Sequence, residues 1–145
     1  MKKVVSVILI LATMMLSACS LLDEVNNSLD YVNEAKSYIN SLSDFAEEAP
    51  QLIQDAAVDP EVKQDLENQL NTLVEDINEF NTIEAPAIAE DIHQDLVTKN
   101  EALIDEINTA MENGELALEK LENSEIINTV NDVTSLLDSI EKLEL

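Results

Sequence analysis

The stretch DPEVKQDLENQLNTLVEDINEF, residues 59–80, decides the fold class. It opens on a strong helix start: Asp59 is a capping residue, Pro60 suits the first helical position, and Glu61 favours the positive helix end. Apolar residues then fall at Val62, Leu66, Leu70, Leu73, Ile77 and Phe80. These steps of three and four align on one face of a helix, and the intervening positions are mostly acids and amides. The spacing predicts an amphipathic helix ending around Asn81.

The same pattern extends both ways. Upstream, Leu22, Val25, Leu29, Val32, Ala35, Ile39, Leu42, Ala46 and Ala49 form one stripe, which Pro50 closes, or from which it opens a short successor over 51–57. Downstream, Pro86 follows a short connector, and Ala89, Ile92, Leu96, Leu103, Ile107 and Ala110 mark a third helix. The single glycine, in Asn113-Gly114, reads as that helix's C-terminal stop. A short helical piece over 115–122 leads to Asn123-Ser124, a cap pair, and then Ile127, Val130, Val133, Leu137 and Ile140 mark a fourth helix.

No strand signal competes, and the one glycine and three prolines all stand at boundaries. The expectation is all-α: an antiparallel up-down four-helix bundle with short accessory helices in the connectors. A longer coiled-coil oligomer is the alternative, because parts of the stripes approach heptad spacing. Breaks at bundle-like intervals favour the bundle.

The N-terminus has the three parts of an export signal: Lys2 and Lys3, an apolar run over 4–15, and small residues before Cys19. The run falls short of the roughly 20 apolar residues of a spanning helix and meets Asp23 and Glu24. Leu16-Ser17-Ala18-Cys19 resembles the lipobox of bacterial lipoproteins, in which the cysteine receives a diacylglyceryl group and becomes the mature N-terminus. That resemblance implies a signal peptide over 1–18 and a lipid-anchored helical domain over 19–145, on the outer face of the cell membrane. An ordinary signal peptide would instead leave Cys19 as a lone exposed thiol with no internal disulfide partner. Two acyl chains, at about 0.8 kcal/mol per buried methylene, hold a protein firmly on a bilayer.

Charge narrows the partners. The seven basic residues are all Lys; without the two in the signal, five remain against 31 acids, a net of −26 over 127 residues. Nucleic acid is excluded because its phosphates would be repelled, and anionic head groups would be repelled too, so the lipid must anchor alone. Disorder is the usual alternative for so acidic a chain, and the regular apolar stripes argue against it.

The chain also resembles a family of small uncharacterised lipoproteins from Bacillus-type Gram-positive bacteria. The residues that carry this are CSLLDEVNNSLDYVNEA (19–35), FAEEAPQL (45–52), EAPAIAEDIHQDL (84–96) and TSLLDSIEKL (134–143). The resemblance implies a location and no established activity.

Catalytic chemistry finds little footing. His93 is the only histidine, and Glu90-x-x-His93 matches half of a bundle di-iron motif whose second histidine does not exist here. The expected place for His93 is the margin of the third stripe, hydrogen-bonded to a connector backbone. No serine sits in a strand-turn-helix elbow. Tyr31, Tyr38, Phe45 and Phe80 suit core or margin positions rather than a sugar cleft. Runs such as Glu47-Glu48 and Asp105-Glu106 read as solvated faces, with weak Ca²⁺ or Mg²⁺ binding as their other use.

The expectation is a protein that is no enzyme and has no cofactor, no catalytic residue and no metal ligand, with Cys19 as its one modified site. Its role is that of an interaction or accessory module of the cell envelope, whose partner is an envelope protein or wall component. The alternative is a lipoprotein that binds divalent cations or a small ligand through carboxylate clusters or a bundle cavity. In an up-down bundle the start of helix one, the 84–86 connector and Leu145 share the membrane end, and the connectors 50–60 and 114–123 face outward.

Overall fold

The computed structural model describes the backbone of residues 2–112 and 114–144 and the side chains of residues 26–111 and 114–143. The fold is all-α. Its elements are α1 (Lys2–Ala56), α2 (Pro60–Asn81), α3 (Glu90–Ala110), α4 (Leu118–Glu122), α5 (Ile126–Thr134), α6 (Leu137–Glu141) and a closing 3₁₀ turn (Lys142–Glu144). A two-residue antiparallel ladder, β1 (Met111–Glu112) with β2 (Glu115–Leu116), interrupts the helices.

α2 forms as its sequence dictates. Asp59 Oδ1 accepts the Glu61 N–H at 2.9 Å, Pro60 takes the first turn, and Leu66, Leu70, Leu73, Ile77 and Phe80 are buried. At the far end the Thr82 hydroxyl donates to the Glu79 carbonyl at 2.7 Å. The free carbonyls of the last turn are thereby partly satisfied.

α1 departs from expectation in two ways. Among the described side chains its buried face runs through Tyr31, Val32, Ala35, Ile39, Leu42 and Ala49, whereas Leu29, expected on that stripe, is 43% exposed. Leu22 and Val25 lie outside the described side chains. Pro50, expected to end the helix, lies inside it, and α1 runs on to Ala56. A proline in a helix interior removes one backbone bond and crowds the preceding turn, at about 3 kcal/mol. The helix continues because its stripe continues: Leu52 and Ile53 pack on the core and Ala56 is buried. Packing over that last turn and a half offsets the lost bond.

The region after α3 differs more. Met111 pairs with Leu116 and Glu112 with Glu115, so Gly114 stands in a hairpin and does not cap α3, which ends at Ala110. Gly114 has φ +86°, which a two-residue hairpin turn requires and a side chain resists. The hairpin is tied to α2 by the Leu116 N–H, which donates to Glu67 Oε2 at 3.1 Å. The helical piece expected over 115–122 is accordingly shorter, as α4. Asn123 and Ser124 close α4 instead of opening the next helix: Asn123 Nδ2 donates to the Glu119 carbonyl and Ser124 Oγ to the Leu121 carbonyl.

The fourth helix is likewise broken into α5, α6 and the 3₁₀ turn. Thr134 and Ser135 donate their hydroxyls to the carbonyls of Asn131 and Asp132. Such local bonds compete with the helical ladder at the point where the chain tightens. Ile126, Val130, Val133 and Ile140 are buried, while Ile127 and Leu137 sit at the margin. In space the helices are neighbours in a cycle: α1 with α2, α2 with α3, α3 with α5, and α5 and α6 with α1. No helix among the described residues is long and apolar enough to cross a membrane.

Candidate functional site

Two places stand out, one at each end of the helices. The first grows from a residue that the stripe reading passed over. Asn100 falls midway between Leu96 and Leu103, on the inward face of α3, and is fully buried. Tyr38 donates its hydroxyl to Asn100 Oδ1 at 2.5 Å, and Asn100 Nδ2 donates to Asn81 Oδ1 at 2.7 Å. One amide thus joins α1, α3 and the end of α2. The signal was in the spacing: a polar residue at a position where the three-four rhythm demands an apolar one.

Seven residues back on both helices, the Tyr31 hydroxyl meets His93 Nδ1 at 3.2 Å. The two bridges, Tyr31 to His93 and Tyr38 to Asn100, have the same separation of 62 residues. α1 and α3 therefore run in the same direction. Phe80 lies between them, stacked on Tyr38 at 4.2 Å and tilted against Tyr31 and His93 at 6.5 and 5.5 Å. His93 is thus held by a phenol of α1, not by a connector backbone as expected.

Burial sets the protonation of this cluster. It pushes the Tyr31 phenol up to about 12, and it raises Tyr38 as well, against the lowering effect of the Asn100 bond. It lowers His93 from the ordinary 6.5. A lowered pKa favours the neutral imidazole, whose Nδ1 shares a hydrogen bond with the Tyr31 hydroxyl. Glu90 and His93 border one open cavity of about 590 Å³ together with Glu84 and Asn81. Among the described residues no group of three or more His, Cys, Asp or Glu side chains is arranged to hold a metal ion.

Of the acid runs, Glu47, Glu48 and Asp105 are exposed, but Glu106 turns toward α5. Its Oε1 accepts the Thr129 hydroxyl at 2.9 Å, and its Oε2 is buried without a hydrogen-bond partner.

The second place is an apolar pocket of about 350 Å³ where α1 passes the α4 to α5 turn. Leu66, Leu121 and Ile126 are its buried floor. Phe45 and Ile127 are half-buried walls, Pro50 is an exposed one, and Glu122 stands at the rim. The other end of the molecule is marked by the 84–87 connector, which borders a more polar recess with Asn27, Asp30 and Tyr31 of α1. Lys36 reaches Glu141 there at 3.6 Å, so the C-terminal turn shares that end. Cys19 lies outside the described side chains.

No solved structure matches the chain. The chain is similar to an uncharacterised lipoprotein, YybP, of Bacillus subtilis (strain 168), at 33% identity over 99% of both chains. Residues 31–143 match a family of unknown function, DUF6376. The protein belongs to that family, among small lipoproteins of the Bacillus type.

Proposed function

We propose that this protein is an extracytoplasmic lipoprotein, held on the outer face of the cell membrane by lipid on Cys19, and that it acts as a non-catalytic interaction module of the envelope. Its signal peptide spans 1–18, and its domain is an antiparallel up-down four-helix bundle. The cyclic neighbour relations of α1, α2, α3 and α5, with α1 and α3 running the same way, support the bundle. The full-length likeness to a lipoprotein and the Leu16-Ser17-Ala18-Cys19 motif support the anchor. The one imidazole is bonded to the Tyr31 phenol within a packed aromatic cluster, which favours a structural role for it.

The observation that carries the reading is that α1 holds both Cys19 and the wall of the apolar pocket. Twenty-six residues separate Cys19 from Phe45, about 40 Å of helix at 1.5 Å per residue. The pocket is presented away from the bilayer, and partners dock on that distal end.

Two measurements test this. Wild-type protein takes up labelled fatty acid in cells and Cys19→Ala does not; equal labelling of both would refute the anchor. A photo-crosslinker placed at Glu122 on live cells captures a partner and one at Ala87 does not; the reverse pattern would refute the orientation.

A further inference from the structure

The pocket's walls and charge narrow the partner's chemistry, and this step rests on the distal docking reading. We infer that the pocket receives one large apolar side chain carried on a cationic peptide segment of a partner protein. The cavity of about 350 Å³ is at the low end of ligand-pocket sizes, enough for a single anchor of the kind that dominates small interfaces. Its floor is already buried and its walls are the half-covered Phe45, Ile53 and Ile127, so an inserted side chain removes further apolar surface from water. Val58, 84% exposed on the turn between α1 and α2, adds apolar surface at the same end.

Charge decides what flanks the anchor. The segments that build the pocket, 45–66 and 118–127, carry nine Asp and Glu and only two Lys, and Glu122 stands on the rim itself. A second copy of this chain would bring its own large negative charge to that mouth, and a phosphate-bearing polymer would be repelled equally. A segment with Lys or Arg on both sides of its apolar residue is steered inward and then paired.

The test uses the full-length protein in phosphatidylcholine nanodiscs, with empty nanodiscs as blank. The probe is a fluorescent peptide with one Phe between pairs of Lys, followed by anisotropy. Two substitutions at exposed lining positions address the pocket without touching the core: Gln54→Trp fills it, and Glu122→Lys reverses the rim charge. The expected result is saturable binding that weakens at least tenfold when the peptide's Phe becomes Ala, at least tenfold in Gln54→Trp, and at least fivefold in Glu122→Lys. Melting temperatures should stay within a few degrees of wild type, as expected for changes at exposed positions. Binding that survives Gln54→Trp, binding equally strong to a peptide with Glu in place of Lys, or no binding at all overturns the inference. Crosslinks from Glu122 on live cells separate the two levels: if they persist while the peptide result fails, distal docking stands and the pocket assignment falls. If wild-type cells give no distal crosslinks, both fall.

Discussion

Tyr38 and Asn100 are locked together across the interior: the phenol donates to the buried amide at 2.5 Å while its ring lies nearly parallel to Phe80, 4.2 Å away. An amide placed among leucines is costly unless every polar atom is answered, and here both ends of Asn100 are bonded, to α1 through Tyr38 and to Asn81 at the end of α2. The bond fixes the register of three helices at once, since a slide along any of them would leave a buried polar atom unpaired.

Removing either partner should therefore be expensive, and removing both less so. Asn100→Leu leaves the Tyr38 hydroxyl without its acceptor, and Tyr38→Phe leaves Asn100 Oδ1 without its donor, each at about 1–3 kcal/mol. The double variant should lose less than the sum, with a coupling of at least about 0.5 kcal/mol. Urea unfolding of the four proteins measures it, and strict additivity would show that the bond contributes nothing of its own.

His93 should make the fold acid-sensitive in a defined window. Its folded-state pKa is lowered by burial from 6.5, so the unfolded chain binds the proton more readily. The contribution is complete above about pH 6.5 and is lost as pH falls through the lower folded-state value. Acidification also relieves repulsion among the carboxylates, including Glu84 and Glu90 at the same cavity, so the difference between wild type and His93→Gln is the quantity to read. That difference in melting temperature should shrink as pH falls below 6.5, and a constant difference would mean that the imidazole is free to charge in the fold.

Pro50→Ala should stabilise the protein. The new N–H can bond to the Ala46 carbonyl and complete the ladder of α1, a gain of up to about 3 kcal/mol, reduced by about 0.4–1 kcal/mol because the unfolded chain becomes more flexible. A net gain of about 1–2 kcal/mol in denaturant unfolding is expected. If the anchor pocket is used, the same change should weaken peptide binding, because Pro50 is part of its wall.

Gly114→Ala should cost about 1–2 kcal/mol through backbone conformation alone. An added methyl would meet no atom within 4 Å, so crowding plays no part, but φ +86° is a conformation that alanine resists. Gly114→Asn should be milder than Gly114→Ala in thermal melts, since Asn tolerates positive φ, and equal losses would point away from the turn.

Much of the fold was legible in local pattern. The α2 cap at Asp59, the proline at its first position and the Leu66 to Phe80 stripe appear in the structure as written in the sequence. A capping oxygen, a fixed φ and a 3.6-residue rhythm act within one turn of chain. The hairpin was also written there, in Asn113-Gly114, a dipeptide that favours a two-residue β turn at least as strongly as a helix stop. Which use prevailed depended on Leu116, which is buried and whose N–H finds Glu67 on α2.

Composition and periodicity thus determined by themselves an acidic all-α chain with long amphipathic helices, because each signal is settled by neighbours in sequence. Tertiary structure alone decided that α1 runs through Pro50, that the fourth helix breaks at Ser135, that Glu106 faces Thr129, and that His93 bonds Tyr31 rather than a connector. Each of these turns on what lies across the core. A helix crosses a proline when the burial beyond it outweighs one lost bond, and a buried polar group takes whichever partner a neighbouring helix, 62 residues away in the chain, brings into register.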